Sequence, residues 1–134
     1  MTRTFLDSGV LIAAARGTDE LHLRALDILD DPEREFITSD YVRLEVIPNA
    51  VFHRKEAERK FYEAFFDHAV VTVHPSPELV RIAEREASKA CLSATDALHV
   101  AAAMEADAQE LITHEKPTKP FFRVTDIVVT SLRQ

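Results

Sequence analysis

The sequence predicts an α/β domain built on a mostly parallel, five-stranded sheet with helices on both faces. Short apolar or β-branched runs alternate with longer stretches of helical periodicity, and residues that cap helices recur between them. No repeat, low-complexity tract or linker-like segment breaks the 134 residues, so the chain reads as a single domain over 1–134.

Taken in order, Thr2–Leu6 is a short strand that ends at Asp7, and Gly9–Arg16 continues as a helix closed near Gly17. Thr18 or Asp19 can cap a second helix in which Leu21, Ala25, Ile28 and Leu29 share a face, with Pro32 just past its end. Phe36–Thr38 is the second strand. Ser39 and Asp40 are capping residues for the helix Tyr41–Ile47, which Pro48 is expected to end or kink. Residues 55–66 read as helical, with Phe61 and Phe65 four apart on a packing face. Val70–Val73 is a third strand, and Ser76-Pro77-Glu78 opens a helix with a cap, a first-turn proline and an early acid. Residues 94–107 form an alanine-rich helix, Glu110–Thr113 a fourth strand and Ile127–Leu132 a fifth.

Composition narrows the chemistry. At 46% apolar and 29% charged residues the chain is an ordinary globular sequence, and its N-terminus lacks a secretory signal, which points to the cytoplasm. The single cysteine, Cys91, can form no internal disulfide or multi-cysteine zinc cage and reads as a small apolar filler. With only Gly9 and Gly17 available, no glycine-rich dinucleotide or phosphate loop can be written. A formal net charge of −7 argues against broad capture of nucleic acid, yet suits an enzyme whose acids hold divalent cations.

Ligands of open parallel sheets bind outside the carboxyl ends of the strands. Asp7 and Glu115 fall at that edge directly, after strands one and four. Glu45 lies early in the helix leaving strand two. Asp96 opens the helix that runs back antiparallel into strand four, so it returns to the same edge. Four carboxylates there would repel unless protons or a cation compensate them. Mg²⁺ and Mn²⁺ prefer oxygen ligands, and such ions support phosphodiester hydrolysis. Each acid also has a plainer reading: Asp7 as a helix cap, Asp96 as partner of Ser93 in a capping box, Glu45 as a solvated helix charge, Glu115 as a loop acid. His99 and His114 permit a mixed histidine and carboxylate metal site, although no HExxH spacing exists. Serine or cysteine nucleophile chemistry lacks its turn and its base, and a phosphatase with Asp7 as nucleophile lacks the DxD pattern.

With Phe5-Leu6-Asp7-Ser8-Gly9-Val10, Thr38-Ser39-Asp40-Tyr41-Val42-Arg43-Leu44-Glu45, Ala94-Thr95-Asp96-Ala97-Leu98-His99 and Glu110-Leu111-Ile112-Thr113-His114-Glu115 in this order, the chain resembles a PIN domain nearly end to end. It is similar to the small single-domain kind typified by VapC toxins. The resemblance implies a three-layer α/β/α sandwich and a Mg²⁺- or Mn²⁺-dependent endoribonuclease, the toxin of a toxin–antitoxin pair. It further implies a homodimer that binds a small cognate antitoxin protein and an RNA substrate. Asp7, Glu45 and Asp96 match the family's acids by type, whereas Glu115 stands where aspartate is usual. The segment Lys116–Arg123 also departs from the pattern, either as a basic loop touching RNA phosphates or as a charged surface connection. The alternative from a different class is a non-catalytic RNA- or protein-binding module on the same fold.

Overall fold

The computed structural model describes residues 1–134. Five strands, β1 (Thr2–Leu6), β2 (Arg34–Ser39), β3 (Val71–Val73), β4 (Glu110–Thr113) and β5 (Val128–Ser131), form one sheet in the order β3-β2-β1-β4-β5. Every pairing is parallel, from Thr2 opposite Arg34 to Thr113 opposite Ser131. The helices are α1 (Ser8–Arg16), α2 (Glu20–Leu29), α3 (Asp40–Phe52), α4 (Glu56–His68), α5 (Pro77–Ala90) and α6 (Ala94–Glu105). Right-handed crossovers place the β1-to-β3 connections on one face of the sheet and the β3-to-β5 connections on the other, giving three layers. The strand order turns at β1 and β4, so the crevice between their carboxyl ends is the natural ligand edge.

Helix starts follow the sequence closely. Asp7, Asp19, Ser39, Ser76 and Ser93 each accept a hydrogen bond from the backbone N–H three residues on, satisfying donors that a helix N-terminus leaves free. The core runs from Phe5 and Leu6 on β1 to Leu111 and Ile112 on β4, all essentially inaccessible. Ala101, Ala102 and Ala103 are fully buried on α6, and α6 packs against β2, β4, α3 and α5. Side chains this small let a helix backbone approach a sheet closely, so α6 brings its polar positions to the sheet edge without voids.

The structure overturns one expectation, for Cys91, and gives detail at Pro48 and in Lys116–Arg123. Pro48 neither ends nor separates α3, which continues through it to Phe52. The bond lost is the one Pro48 would have donated to Leu44, and Leu44 is 66% exposed, so water can take that carbonyl. Cys91 is exposed and fills no core space. At φ 53° it is the left-handed C-cap of α5, a place usually given to glycine. The Lys116–Arg123 segment is not merely a loop. Pro120–Arg123 forms a 3₁₀ turn that buries Phe121, and Arg123 bonds the Ala90 carbonyl at the end of α5. Gly17 does close α1, but in extended conformation. A Cβ there would lie 2.7 Å from the His22 Cβ, so space and not a left-handed turn excludes a side chain.

A partly buried ion pair ties α1 to α4. Glu58 accepts hydrogen bonds from Tyr62 Oη at 2.7 Å and Arg16 Nε at 2.8 Å, and Arg16 reaches Asn49 of α3. Burial alone would raise the Glu58 pKa, but the Tyr62 and Arg16 bonds outweigh it and hold the group below the ordinary glutamate value. A carboxyl lowered on folding stabilises above its unfolded pKa and loses that contribution as pH falls through the folded one. Glu58→Gln is therefore expected to cost about 1–2 kcal/mol near neutrality. The deficit should vanish in acid below the ordinary glutamate range, as read from urea-unfolding midpoints across pH.

Candidate active site

The carboxyl ends of β1 and β4 open onto a cleft of about 270 Å³ lined by Asp7, Ser8, Gly9, Ile12, Ala13, Asp96, His99, His114 and Glu115. No lysine or arginine lines it. The side chains come from three stretches of chain: the β1–α1 junction, the first turns of α6 and the exit of β4.

Asp7 is 5% exposed and doubly held. Its Oδ1 accepts from Val10 N at 3.2 Å, which caps α1, and its Oδ2 accepts from Thr113 Oγ1 at 2.6 Å across the β1–β4 pair. Thr113 Oγ1 also accepts from the Glu115 backbone N–H at 3.1 Å, so one hydroxyl sets both acids. Capping and site geometry are here the same contact, and the plainer reading of Asp7 coexists with its place in the cleft. Burial raises the Asp7 pKa above the ordinary aspartate value, although the Thr113 bond and the His99 and His114 rings restrain it.

Asp96 is half-buried in the first turn of α6, where Ser93 Oγ accepts from its backbone N–H at 3.2 Å. Its pKa is likewise raised, first by burial and then by the facing charges of Glu115 and Glu45, against the opposing pull of His99 and Ser93. Glu115 is half-buried, and its backbone carbonyl accepts from Ser131 Oγ at 2.7 Å. The next strand thus staples its position: Leu132 N–H donates to the Thr113 carbonyl and Arg133 Nε to that of His114.

Glu45 differs from the other three. It stands on α3, outside the lining of the cleft, and meets it through His99, whose Nε2 lies 2.5 Å from Glu45 Oε1. Burial opposes its ionisation, but the His99 bond and charge, with a bond from Ser8, bring its pKa below the ordinary value. His99 is a residue that spacing alone marked only as a conceivable ligand. One of its nitrogens is taken by Glu45 and the other, Nδ1, is enclosed without a partner, so neither is open to an ion in this arrangement. His114 packs over Gly9, where a Cβ would lie 1.9 Å from its Nδ1. Glycine is required there for space, and α1 can begin directly beneath the ring.

Donor chemistry bears on whether a cation fits. Asp7, Asp96 and Glu115 offer hard oxygen ligands in a cleft without lysine or arginine, and two carboxyls are raised by burial or like charge. No three Asp, Glu, His or Cys side chains gather closely enough to form a complete protein cage. Mg²⁺ does not need one, since it commonly takes one or two carboxylates and keeps several waters. The residues fit such an ion in type and charge.

The fold and this cleft define an α/β protein with an acidic pocket at the switch in strand order. A family model for the PIN domain matches residues 4–118, and the chain belongs to that family. Among solved structures, a chain of VapBC2 from Rickettsia felis, bound to a DNA fragment from its promoter, superposes with a TM-score of 0.74 at 15% identity, covering 97% of this chain and 98% of that one. A toxin–antitoxin complex from Klebsiella pneumoniae gives 0.72 at 20% identity, over 96% and 97%. VapC20 of Mycobacterium tuberculosis, described as a sarcin–ricin-loop-cleaving toxin, gives 0.63 at 19% identity, over 87% and 92%. At such identities the likeness is one of fold. No curated protein matches the chain.

Two outcomes follow from the geometry. A carboxyl raised on folding costs stability above its unfolded pKa, so Asp96→Asn should unfold at higher urea than the wild type near neutrality in EDTA. That gain should disappear in acid, and Mn²⁺ should stabilise the wild type more than the variant. Gly9→Ala must displace His114 and is expected to cost about 1–3 kcal/mol, measured by the same unfolding transition.

Proposed function

We propose that this chain is a Mg²⁺- or Mn²⁺-dependent endoribonuclease, the toxin of a toxin–antitoxin pair. It would act in the cytoplasm as a homodimer and be silenced by a small antitoxin protein. The observation that carries the reading is the juxtaposition of Asp7, Asp96 and Glu115 around one cleft that contains no lysine or arginine. Family membership and the fold shared with VapBC chains support the same direction.

On this reading Asp7 and Asp96 hold the principal ion, while Glu45 and Glu115 complete its surroundings or orient the attacking water. A bound hard divalent cation supplies charge neutralisation at the phosphodiester and acidifies a coordinated water. The chain's own residues do the positioning. Thr113 and the Val10 N–H hold Asp7 where it lines the cleft. The burial that raises Asp7 and Asp96 disfavours their ionised forms, and an incoming positive charge would favour them. Ser131 and Arg133 hold the backbone of the β4 exit and keep Glu115 beside Asp7. Phosphate oxygens of RNA would complete the ion's coordination, as suits a site with fewer than three converging protein ligands.

The same shortage of converging ligands favours one rival, a PIN-fold module that binds RNA or protein without cleaving. The test is incubation of purified chain with mixed single-stranded and structured RNA in Mn²⁺, beside EDTA and Asp7→Asn controls. Cleavage is expected in Mn²⁺ alone, falling to background in both controls while the circular dichroism of the variant stays native. Tight RNA binding without cleavage across substrates would move the assignment to the binding module, and cleavage retained by Asp7→Asn would remove Asp7 from the site.

A further inference from the structure

His99 is a buried polar side chain with a single hydrogen bond. It is 2% exposed, lies among the buried alanines of α6, and its ring is tilted by 42° against Phe5 with centroids 5.8 Å apart. Its only hydrogen-bond partner is the carboxylate of Glu45, a residue of a different helix whose side chain is 36% exposed. A buried imidazole is a costly way to fill apolar space, and the cost is greater when Nδ1 has no partner. An exposed glutamate is ordinarily free to sweep several rotamers. The contact therefore gives little to the core and much to the orientation of Glu45.

We infer that His99 is a positioning residue: locked by Phe5 and the alanine face of α6, its Nε2–H fixes the Glu45 carboxylate at the mouth of the acid cleft. This rests on the nuclease reading above and adds to it the means by which the fourth acid, which does not line the cleft, is brought to bear. His99 itself touches neither ion nor substrate. Outer partners of this kind, a ring N–H donated to a carboxylate, orient ligands in metal sites generally, and their loss commonly weakens affinity or activity about 10–100-fold.

The test is a cycle of wild type, Glu45→Gln, His99→Leu and the double variant, each full-length and checked for a native unfolding transition. Without RNA, Mn²⁺ affinity is measured by calorimetry, and the ring N–H protons of ¹⁵N-histidine-labelled protein are recorded by NMR. The wild type should show one protected, strongly downfield ring proton that moves upfield in Glu45→Gln. Both single variants should bind Mn²⁺ about 10–100-fold more weakly, the double variant no more weakly than either, and His99→Gln, which keeps a donor, should recover part of the loss. Unchanged affinity in the single variants, or losses that simply add, would overturn the assignment. Glu45 is exposed, so Glu45→Gln carries the test even if His99→Leu fails to fold. Failure of the nuclease reading is seen separately, as wild-type protein that neither binds Mn²⁺ nor cleaves RNA while the ring proton still responds to Glu45→Gln.

Discussion

The hydroxyl of Thr113 is the joint on which the cleft depends. It donates to Asp7 at the end of β1 and accepts from the Glu115 N–H just past β4, so one side-chain oxygen fixes the relation between two strand exits 106 residues apart in sequence. Parallel pairing of β1 with β4 brings the exits to one level, and the hydroxyl turns that register into a side-chain geometry. Asp7 then starts α1 by capping it, so the same carboxylate orders the next element. A small set of contacts thus serves fold and site together.

Around this joint the electrostatics are one-sided. Acids converge from β1, β4 and α6, and the only cationic candidates at the cleft are His99 and His114. Arginine is plentiful elsewhere but is used to tie helices and strand ends: Arg16 to Glu58, Arg34 to Glu110, Arg24 to the carbonyls of Leu132 and Gln134. The segregation leaves a pocket of unneutralised oxygen donors inside a well-compensated exterior. Buried like charges destabilise a fold unless something external relieves them, and this sets the cleft apart from a merely structural cluster. The stability surrendered there is small beside a core that includes Phe5, Leu6, Leu111 and Ile112.

Much of the architecture was legible because strand and helix periods alternate cleanly and caps mark the helix starts. Ser39, Ser76 and Ser93 are short polar side chains placed one residue before helical periodicity, and local chemistry alone decides their role. The edge positions of Asp7, Asp96 and Glu115 follow from strand direction, which the βα alternation dictates. Glu45 shows where that reasoning stops. Its distance from strand two was legible, but its attachment to a histidine on α6 is a contact between elements from opposite sides of the sheet, and no single segment encodes it. Pro48 and Cys91 misled for a related reason: whether water can take the carbonyl that a proline leaves free, and whether a cysteine packs inside, both depend on exposure, which sequence pattern does not report. Phe121 is buried because the 3₁₀ turn meets α5, again a tertiary fact.

The strand order carries one more consequence, for the chain during synthesis. β1 is made before the other strands and occupies the centre of the sheet, yet one of its two neighbours, β4, comes more than a hundred residues later, and the Ser131–Arg133 staple later still. Until then the partner groups of Asp7 and the backbone that holds Glu115 are absent, and loop closure over that span is among the last and slowest events of folding. A chain cut short before β4 lacks Thr113, Glu115 and Ser131, and with them the contacts that assemble the acid pocket. If the pocket cuts RNA, the chain cannot attack the message and the ribosome that are making it until β4 and the segment that staples it have been made.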